Sequence, residues 1–357
     1  MKRFIATYIA MFRLLWLSPR VKGEFSILQT EQRGDSTFLL LPDNADTRAP
    51  GVQSLFWDSR KGHSVVEFSE AQPEGRWFRV LRTFGKDPVP SRSAWLSGWL
   101  GETPEHFGIA GYDSVKLPDR TNAVVTNRES DRWAIHVHGR KTLIGETLRN
   151  FPLFDSLGFR QMSISHQTDP KPAGLGQHKS ALGLTEWRLV EQAVNFAKVN
   201  GAKEVILFGW SLGGMICGQY LKRAGDTSIV KGAIFDSPMF DVRNTLRFQA
   251  GLSGYSEQFA DEVCELIGRS FLLRLLGYPA MKVDEFSLAK NPVEANIPML
   301  VLYSLNDGYI QIQDALEFAE INQNVVVKEF EGARHCRLRN SNVELYERTL
   351  KDFVAKL

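Results

Sequence analysis

Cysteine is scarce in this sequence, and the few cysteines stand far apart. Only three occur among 357 residues, at Cys217, Cys264 and Cys336. An odd number at wide spacing argues against a framework of disulfide bonds and against a metal site built from thiolates. The hydrophobic content of 43% is typical of a globular protein that can bury one large core and an accessory unit.

An excess of charge of one sign is also missing. The chain has 43 Lys and Arg residues against 41 Asp and Glu residues, a formal net charge of +2, and no long basic run. Because nucleic acid is bound by a concentrated positive surface, we expect no nucleic-acid partner.

The N-terminal segment, residues 1–22, is apolar and basic but too short to cross a bilayer. Its apolar run at residues 4–12 is far shorter than the roughly 20 residues of a transmembrane helix, and no convincing signal-peptide cleavage site follows. Two interpretations stay open: a helix packed against the protein, or membrane association of residues 1–20 as an interfacial helix. In the second, anionic lipid would meet the basic residues of the segment, Lys2, Arg3, Arg13 and Arg20. Localisation is therefore open between cytoplasmic and membrane-associated.

The most informative motif is Gly-Trp-Ser-Leu-Gly at residues 209–213. It follows an apolar strand predicted at residues 205–208 and precedes a predicted helix, which places Ser211 on a tight turn between strand and helix. Such a turn strains the backbone of the serine and tolerates no bulky neighbours, a requirement that Gly209 and Gly213 meet. The sequence therefore predicts that Ser211 is a nucleophile.

Two downstream loops offer the partners that this serine requires. A serine hydroxyl needs a base to accept its proton and an acid to orient that base. The strand predicted at residues 298–303 leads into a loop with Asp307, and the strand predicted at residues 325–330 leads into a loop with His335. Because the carboxyl ends of parallel strands meet at one edge of a sheet, both side chains can converge on Ser211.

The order nucleophile, acid, base resembles that of the α/β-hydrolase superfamily, from about Tyr112 onward. The resemblance implies the α/β-hydrolase fold, a mostly parallel, doubly wound sheet, and chemistry without a metal or an organic cofactor. It extends to residues 135–140, which have the form of the family's His-Gly loop. It assigns the two N–H donors of the oxyanion hole to the backbones of Leu212 and Arg140, with Lys141 as the alternative to Arg140.

A second acid competes with Asp307. Asp236 closes an apolar strand predicted at residues 232–235, and some α/β-hydrolases take their acid from that strand end. Asp307 is preferred because its loop resembles the usual acid loop, although a helix N-cap would also explain an aspartate there.

Composition along the chain divides it into three regions. Residues 1–22 form the N-terminal segment, residues 23–108 a β-rich accessory region, and residues 109–357 the hydrolase domain, with a helical cap inserted at about residues 239–297. Apolar side chains of the insertion are candidates either for the substrate pocket or for the core of the cap: Met239, Phe240, Phe248, Phe271, Leu272 and Leu275.

The sequence thus predicts a serine hydrolase that cleaves a carboxylic ester or thioester through an acyl-enzyme. The expected substrate is a small-molecule or lipid-like acyl compound, and its binding residues are not identifiable from sequence. A serine peptidase or amidase of the same fold is one alternative, because the same triad attacks amides. A non-catalytic binding protein on a hydrolase scaffold is the other.

Overall fold

The computed structural model describes residues 2–15, 23–166 and 179–357, and two β-sheets dominate it. Residues 16–22 of the N-terminal segment, among them Arg20, lie outside the described residues.

The first sheet has seven antiparallel strands in the order β1-β7-β4-β5-β6-β3-β2. Their bounds are β1 Phe25–Ile27, β2 Gln29–Arg33, β3 Ser36–Leu41, β4 Gln53–Trp57, β5 Gly62–Gln72, β6 Gly75–Gly85 and β7 Ser91–Ser97. This sheet has its own hydrophobic cluster, which includes Leu39, Trp57 and Phe78. The first sheet therefore builds a small core separate from that of the second sheet.

The second sheet has eight strands in the order β15-β14-β13-β12-β10-β11-β9-β8. Their bounds are β8 Tyr112–Lys116, β9 Asn122–Thr126, β10 Arg132–Val137, β11 Arg160–Ile164, β12 Glu204–Trp210, β13 Val230–Asp236, β14 Met299–Tyr303 and β15 Val325–Glu329. Strands β10 to β15 are parallel, whereas β8 and β9 are antiparallel to their neighbours. The carboxyl ends of β10, β12, β14 and β15 consequently share one edge.

Helices cover both faces of the second sheet. They are α1 Lys2–Leu15, α2 Phe151–Ser156, α3 Trp187–Val199, α4 Leu212–Arg223, α5 Val242–Leu252, α6 Glu257–Arg269, α7 Phe271–Leu275, α8 Gln313–Ile321, α9 Leu338–Ser341 and α10 Val343–Val354. Strand β12 shows why both faces are covered: Val205 and Leu207 pack with α3 and α4, while Ile206 and Phe208 pack with α2 and α10. Strands buried on both faces are apolar throughout, as this one is.

Helix α1 packs against the protein. Met11 and Leu15 are fully buried in the core that also holds α3 and α4, and α1 contacts α6, whereas Ile5 and Ile9 are exposed. This arrangement corresponds to the packed-helix interpretation of the segment. Within the described part of the chain, no helix combines the length and apolarity needed to cross a bilayer.

Buried polar contacts join the first sheet to the C-terminal part of the chain. Arg337 is buried, forms an ion pair with Asp46, and donates a hydrogen bond from Nη1 to Gln53 Oε1 at 2.5 Å. Asn340 Nδ2 donates to the carbonyl of Val52 at 2.7 Å. The accessory sheet is therefore fastened to the region that carries His335.

Asp314, at the start of α8, links stability to pH. Its side chain is buried, Oδ1 accepts a hydrogen bond from Asn244 Nδ2 at 2.8 Å, and Oδ2 has no partner among the described residues. Burial raises the pKa of Asp314 to about 7. A carboxyl whose folded-state pKa exceeds its unfolded value destabilises the fold increasingly as pH rises between the two values.

We therefore expect Asp314→Asn, which keeps the acceptor for Asn244, to unfold at higher urea concentration than the wild type at pH 8. The gain should be about 2–4 kcal/mol at pH 8 and should disappear towards pH 4. Asp352→Asn, an exposed position on α10, is the control. An equal gain at both pH values would contradict the assignment.

Candidate active site

Ser211 lies between β12 and α4 in a strained backbone conformation. Its φ and ψ are 50° and −115°, in a region that residues with a Cβ rarely occupy. The side chain is only 5% exposed. The backbone is thus turned sharply at the residue that the sequence singles out as nucleophile.

The two flanking glycines permit this turn by allowing close backbone contacts. A Cβ on Gly209 would lie 2.4 Å from the carbonyl oxygen of Gly213, and a Cβ on Gly213 would lie 2.1 Å from that of Val137. Both distances are far inside van der Waals contact. The first turn of α4 can therefore sit directly against the end of β10.

His335 and Asp307 complete a hydrogen-bonded series with Ser211. His335 Nε2 lies 2.9 Å from Ser211 Oγ, and His335 Nδ1 lies 2.8 Å from Asp307 Oδ2. Because a carboxylate only accepts, the proton on the ring belongs on Nδ1, which leaves Nε2 free to accept the serine proton. The three residues come from the ends of β12, β14 and β15, as the parallel topology requires.

Asp307 is held in place by its own loop. The backbone N–H groups of Tyr309 and Ile310 both donate to Asp307 Oδ1 at 2.9 Å, and the N–H of His335 donates to the Asp307 carbonyl at 2.9 Å. These bonds stabilise a buried carboxylate and fix its direction. The ring of Tyr309 also stacks on that of His335, with centroids 4.8 Å apart.

Asp236, the competing acid, makes different contacts. Its carboxylate accepts hydrogen bonds from Tyr346 Oη at 2.8 Å and from Ser237 Oγ at 3.0 Å. Burial raises the pKa of Asp236. The geometry therefore favours Asp307 over Asp236 as the partner of His335.

The loop after β10 is braced beside Ser211. Gly139 N donates to Glu146 Oε2 at 2.8 Å, and Thr142 Oγ1 donates to the same oxygen at 2.8 Å. A Cβ on Gly139 would lie only 3.3 Å from the Cβ of Ser211. Arg140, the next residue, and Leu212, the first residue of α4, are thus brought to the neighbourhood of Ser211.

A cavity of about 550 Å³ opens at these residues. The accessory sheet region contributes Asp46, Arg60 and Trp95 to its wall, and α5 contributes Gln249. The loops of the second sheet contribute Gly139, Arg140, Lys141, Thr142, Glu146, Ser211, Asp307, Tyr309, Arg334 and His335, among others. Burial, with the neighbouring charges of Arg140 and Arg13, lowers the pKa of Lys141 to about 8.

The apolar side chains of the predicted cap do not line this cavity. Met239 and Phe240 are buried in the main core, while Phe271, Leu272 and Leu275 are exposed at the surface, and Phe248 is partly buried away from the cavity. Their spacing along the chain indicated helices, but spacing alone does not show which side of a helix meets the site. Gln249, one residue beyond Phe248, is the side chain of this region that reaches it.

Comparison with known proteins relates the chain to solved structures. No protein-family model matches the sequence, and no curated protein sequence matches it. The esterase Pf2001 of Pyrococcus furiosus is similar with a TM-score of 0.55 over 71% of this chain and 94% of its own, at 17% identity. Mouse alpha/beta hydrolase domain-containing protein 10 is similar with a TM-score of 0.51 over 69% and 99%, at 15% identity.

This chain has the α/β-hydrolase fold. The resemblance found in the sequence is confirmed at that level. The α/β-hydrolase fold explains why loops at one edge of the sheet carry all three predicted residues of the triad.

Sequence reasoning missed three residues that support the site. Glu146 braces the loop after β10, Tyr309 stacks on His335, and Asp46 of the accessory region pairs with Arg337 of the His335 loop. Tyr309 stands two residues after Asp307, so its position in the acid loop could have indicated a place near the site. The sequence around Glu146 and Asp46 gives no such indication, because tertiary structure determines their partners.

The close contact of Gly213 gives a testable prediction about the elbow. We expect Gly213→Ala to lower the free energy of unfolding by about 1–3 kcal/mol, because the new methyl group would displace α4 from β10. Urea unfolding followed by circular dichroism measures this loss.

Gly225→Ala is the matched control, since a Cβ on Gly225 meets no atom within 4 Å. Its stability should stay within about 0.5 kcal/mol of the wild type. Equal stability of the two variants would show that the contact at Gly213 does not constrain the fold.

Proposed function

We propose that the protein is a serine hydrolase that cleaves a carboxylic ester or thioester through an acyl-enzyme. The observation that carries this proposal is the hydrogen-bonded series from Ser211 Oγ through His335 to Asp307, built on the strained turn at Ser211. An aligned base activates a serine hydroxyl, and the strained turn between strand and helix presents that hydroxyl at the edge of the sheet.

The geometry supports the following steps. Ser211 Oγ attacks the carbonyl carbon of the substrate while His335 Nε2 takes its proton, and Asp307 stabilises the resulting imidazolium. The backbone N–H groups of Leu212 and Arg140 bind the oxyanion. His335 then protonates the leaving group, the acyl-enzyme forms, and a water molecule activated by His335 releases the acid.

We favour an ester over an amide as the substrate, because one of the similar solved structures is named as an esterase. Pf2001 is an esterase, although the low identity relates it to this chain through fold alone. Peptidase activity requires the same triad, so the choice depends on the substrate pocket.

The accessory sheet and the helical insertion are proposed to shape that pocket, the insertion acting as a cap. Trp95 and Gln249 approach the cavity from these two regions, and Arg60, Lys141 and Arg334 give it charged walls. A volume of about 550 Å³ suits a small molecule. This lining supports a small ester with polar groups over a long, purely apolar acyl chain.

Labelling by a fluorophosphonate probe tests the proposal. We expect the wild-type protein to label covalently and Ser211→Ala not to label, because the probe reacts only with an activated serine. A series of p-nitrophenyl esters from acetate to dodecanoate should then show the highest kcat/KM at short chains.

Each alternative has its own outcome in this experiment. Labelling with turnover of aminoacyl p-nitroanilides but not of esters would favour the peptidase. Absence of labelling of folded wild-type protein would favour the non-catalytic binding protein and contradict the proposal.

The two candidate acids are separated by a matched pair of variants. We expect Asp307→Asn to lower kcat by about 10³–10⁴, because the base loses its orientation and its charge partner. Asp236→Asn keeps an acceptor for Tyr346 and should leave kcat close to that of the wild type. The reverse order of effects on kcat, in variants shown to be folded by circular dichroism, would assign the acid to Asp236.

A further inference from the structure

The side chain of Arg140 binds the end of α1. Arg140 Nη2 donates to the carbonyl of Leu14 at 2.6 Å and to that of Arg13 at 3.1 Å. The last carbonyls of a helix lack partners within the helix and carry partial negative charge, so a guanidinium is well suited to bind them. The loop after β10 is thereby tied to α1.

That end of α1 is itself fixed. Leu15 is fully buried, and its carbonyl accepts hydrogen bonds from Tyr278 Oη at 2.9 Å and from Ser180 N at 2.8 Å. Arg140 therefore binds a helix end that is held by other contacts. Leu14, whose carbonyl accepts the shorter hydrogen bond, is 126 positions away from Arg140 in sequence.

Arg140 also lines the cavity beside the acid loop. Arg140 and Tyr309 both belong to the wall of this cavity, and burial lowers the pKa of Arg140. Tyr309 in turn stacks on His335 and donates its N–H to Asp307. The loop of the proposed oxyanion hole and the loops of the proposed base and acid therefore meet at one cavity.

Hydrogen bonds also fix the two residues next to Arg140 in sequence. Gly139 N donates to Glu146 Oε2, and the carbonyl of Lys141 accepts a hydrogen bond from Arg60 Nη2. Lys141 has a φ of 61°, so this short loop is strained. A strained loop keeps its conformation only when the surrounding contacts determine it.

We propose that Arg140 is a positioning residue: by binding the last carbonyls of α1, its side chain holds its own backbone N–H where the oxyanion forms. The inference rests on the proposed function, because the oxyanion forms only in the proposed ester hydrolysis. It makes α1 part of the support of the active site, a role that its sequence, with an apolar and basic pattern, did not indicate.

Arg140→Met tests the inference, since methionine keeps an unbranched side chain and the backbone N–H but makes none of these hydrogen bonds. We expect kcat for a short p-nitrophenyl ester to fall about 10- to 100-fold, because a misplaced oxyanion donor loses part of the 10²–10³ that one donor contributes. KM should change little, since the donor acts on the transition state. Arg140→Lys, which can bind one carbonyl, should recover part of kcat.

Arg132→Met is the matched control. It makes the same substitution at the first residue of β10, where Arg132 Nη1 donates to the carbonyl of Leu157 at the end of α2 at 3.3 Å. We expect a fall in melting temperature but an unchanged kcat. Arg140→Met with wild-type kcat, or Arg132→Met with the same loss of kcat as Arg140→Met, would overturn the inference.

A second readout makes the test independent of ester turnover. Labelling by the fluorophosphonate probe passes through an oxyanion on phosphorus, so its rate constant should fall in parallel with kcat. Unchanged labelling of Arg140→Met would contradict the inference, whereas failure of the wild type to label would refute the proposed function itself.

Discussion

The contact between Gly213 and the end of β10 is the constraint on which the site depends. It sets α4 against the carbonyl of Val137 so closely that a methyl group cannot enter, and it turns Ser211 out of the sheet. The loop after β10 begins at the same point, so one close approach fixes both the serine and the neighbourhood of the proposed oxyanion donors. A looser packing of α4 would separate these groups.

Local patterns explain why much of the site was predictable. Ser211, Asp307 and His335 each follow an apolar strand, and the parallel topology brings strand ends together whatever the details of packing. The parallel arrangement of the core strands was predictable from the same alternation of apolar strands and helices. The predicted cap shows what such patterns do not reveal. Helical spacing predicted helices near Phe271, but the Phe271 side chain is exposed. Periodicity identifies the apolar face of a helix but does not show what packs against that face.

The remaining support of the site could not be predicted, because it pairs residues that are remote in sequence. Arg337 and Asp46 are 291 positions apart, and nothing near either residue indicates the other. Burying such a pair contributes little net stability, since desolvation offsets the attraction. The Arg337–Asp46 pair instead contributes to geometry. Together with the hydrogen bonds of Gln53 and Asn340, it fixes the position of the accessory sheet beside the His335 loop. The sheet thereby serves as a wall of the cavity as well as a unit with its own core.

Part of the backbone strain lies at the same cavity. Four residues that line it, Arg60, Lys141, Ser211 and Cys336, have positive φ although none is glycine. Each such conformation costs about 1–3 kcal/mol and persists only where packing and hydrogen bonds enforce it. These four come from the accessory sheet region, the loop after β10, the elbow and the His335 loop, so four separate segments bring strain to one place. Strain of this kind is common at active sites, and its presence here supports the proposed function.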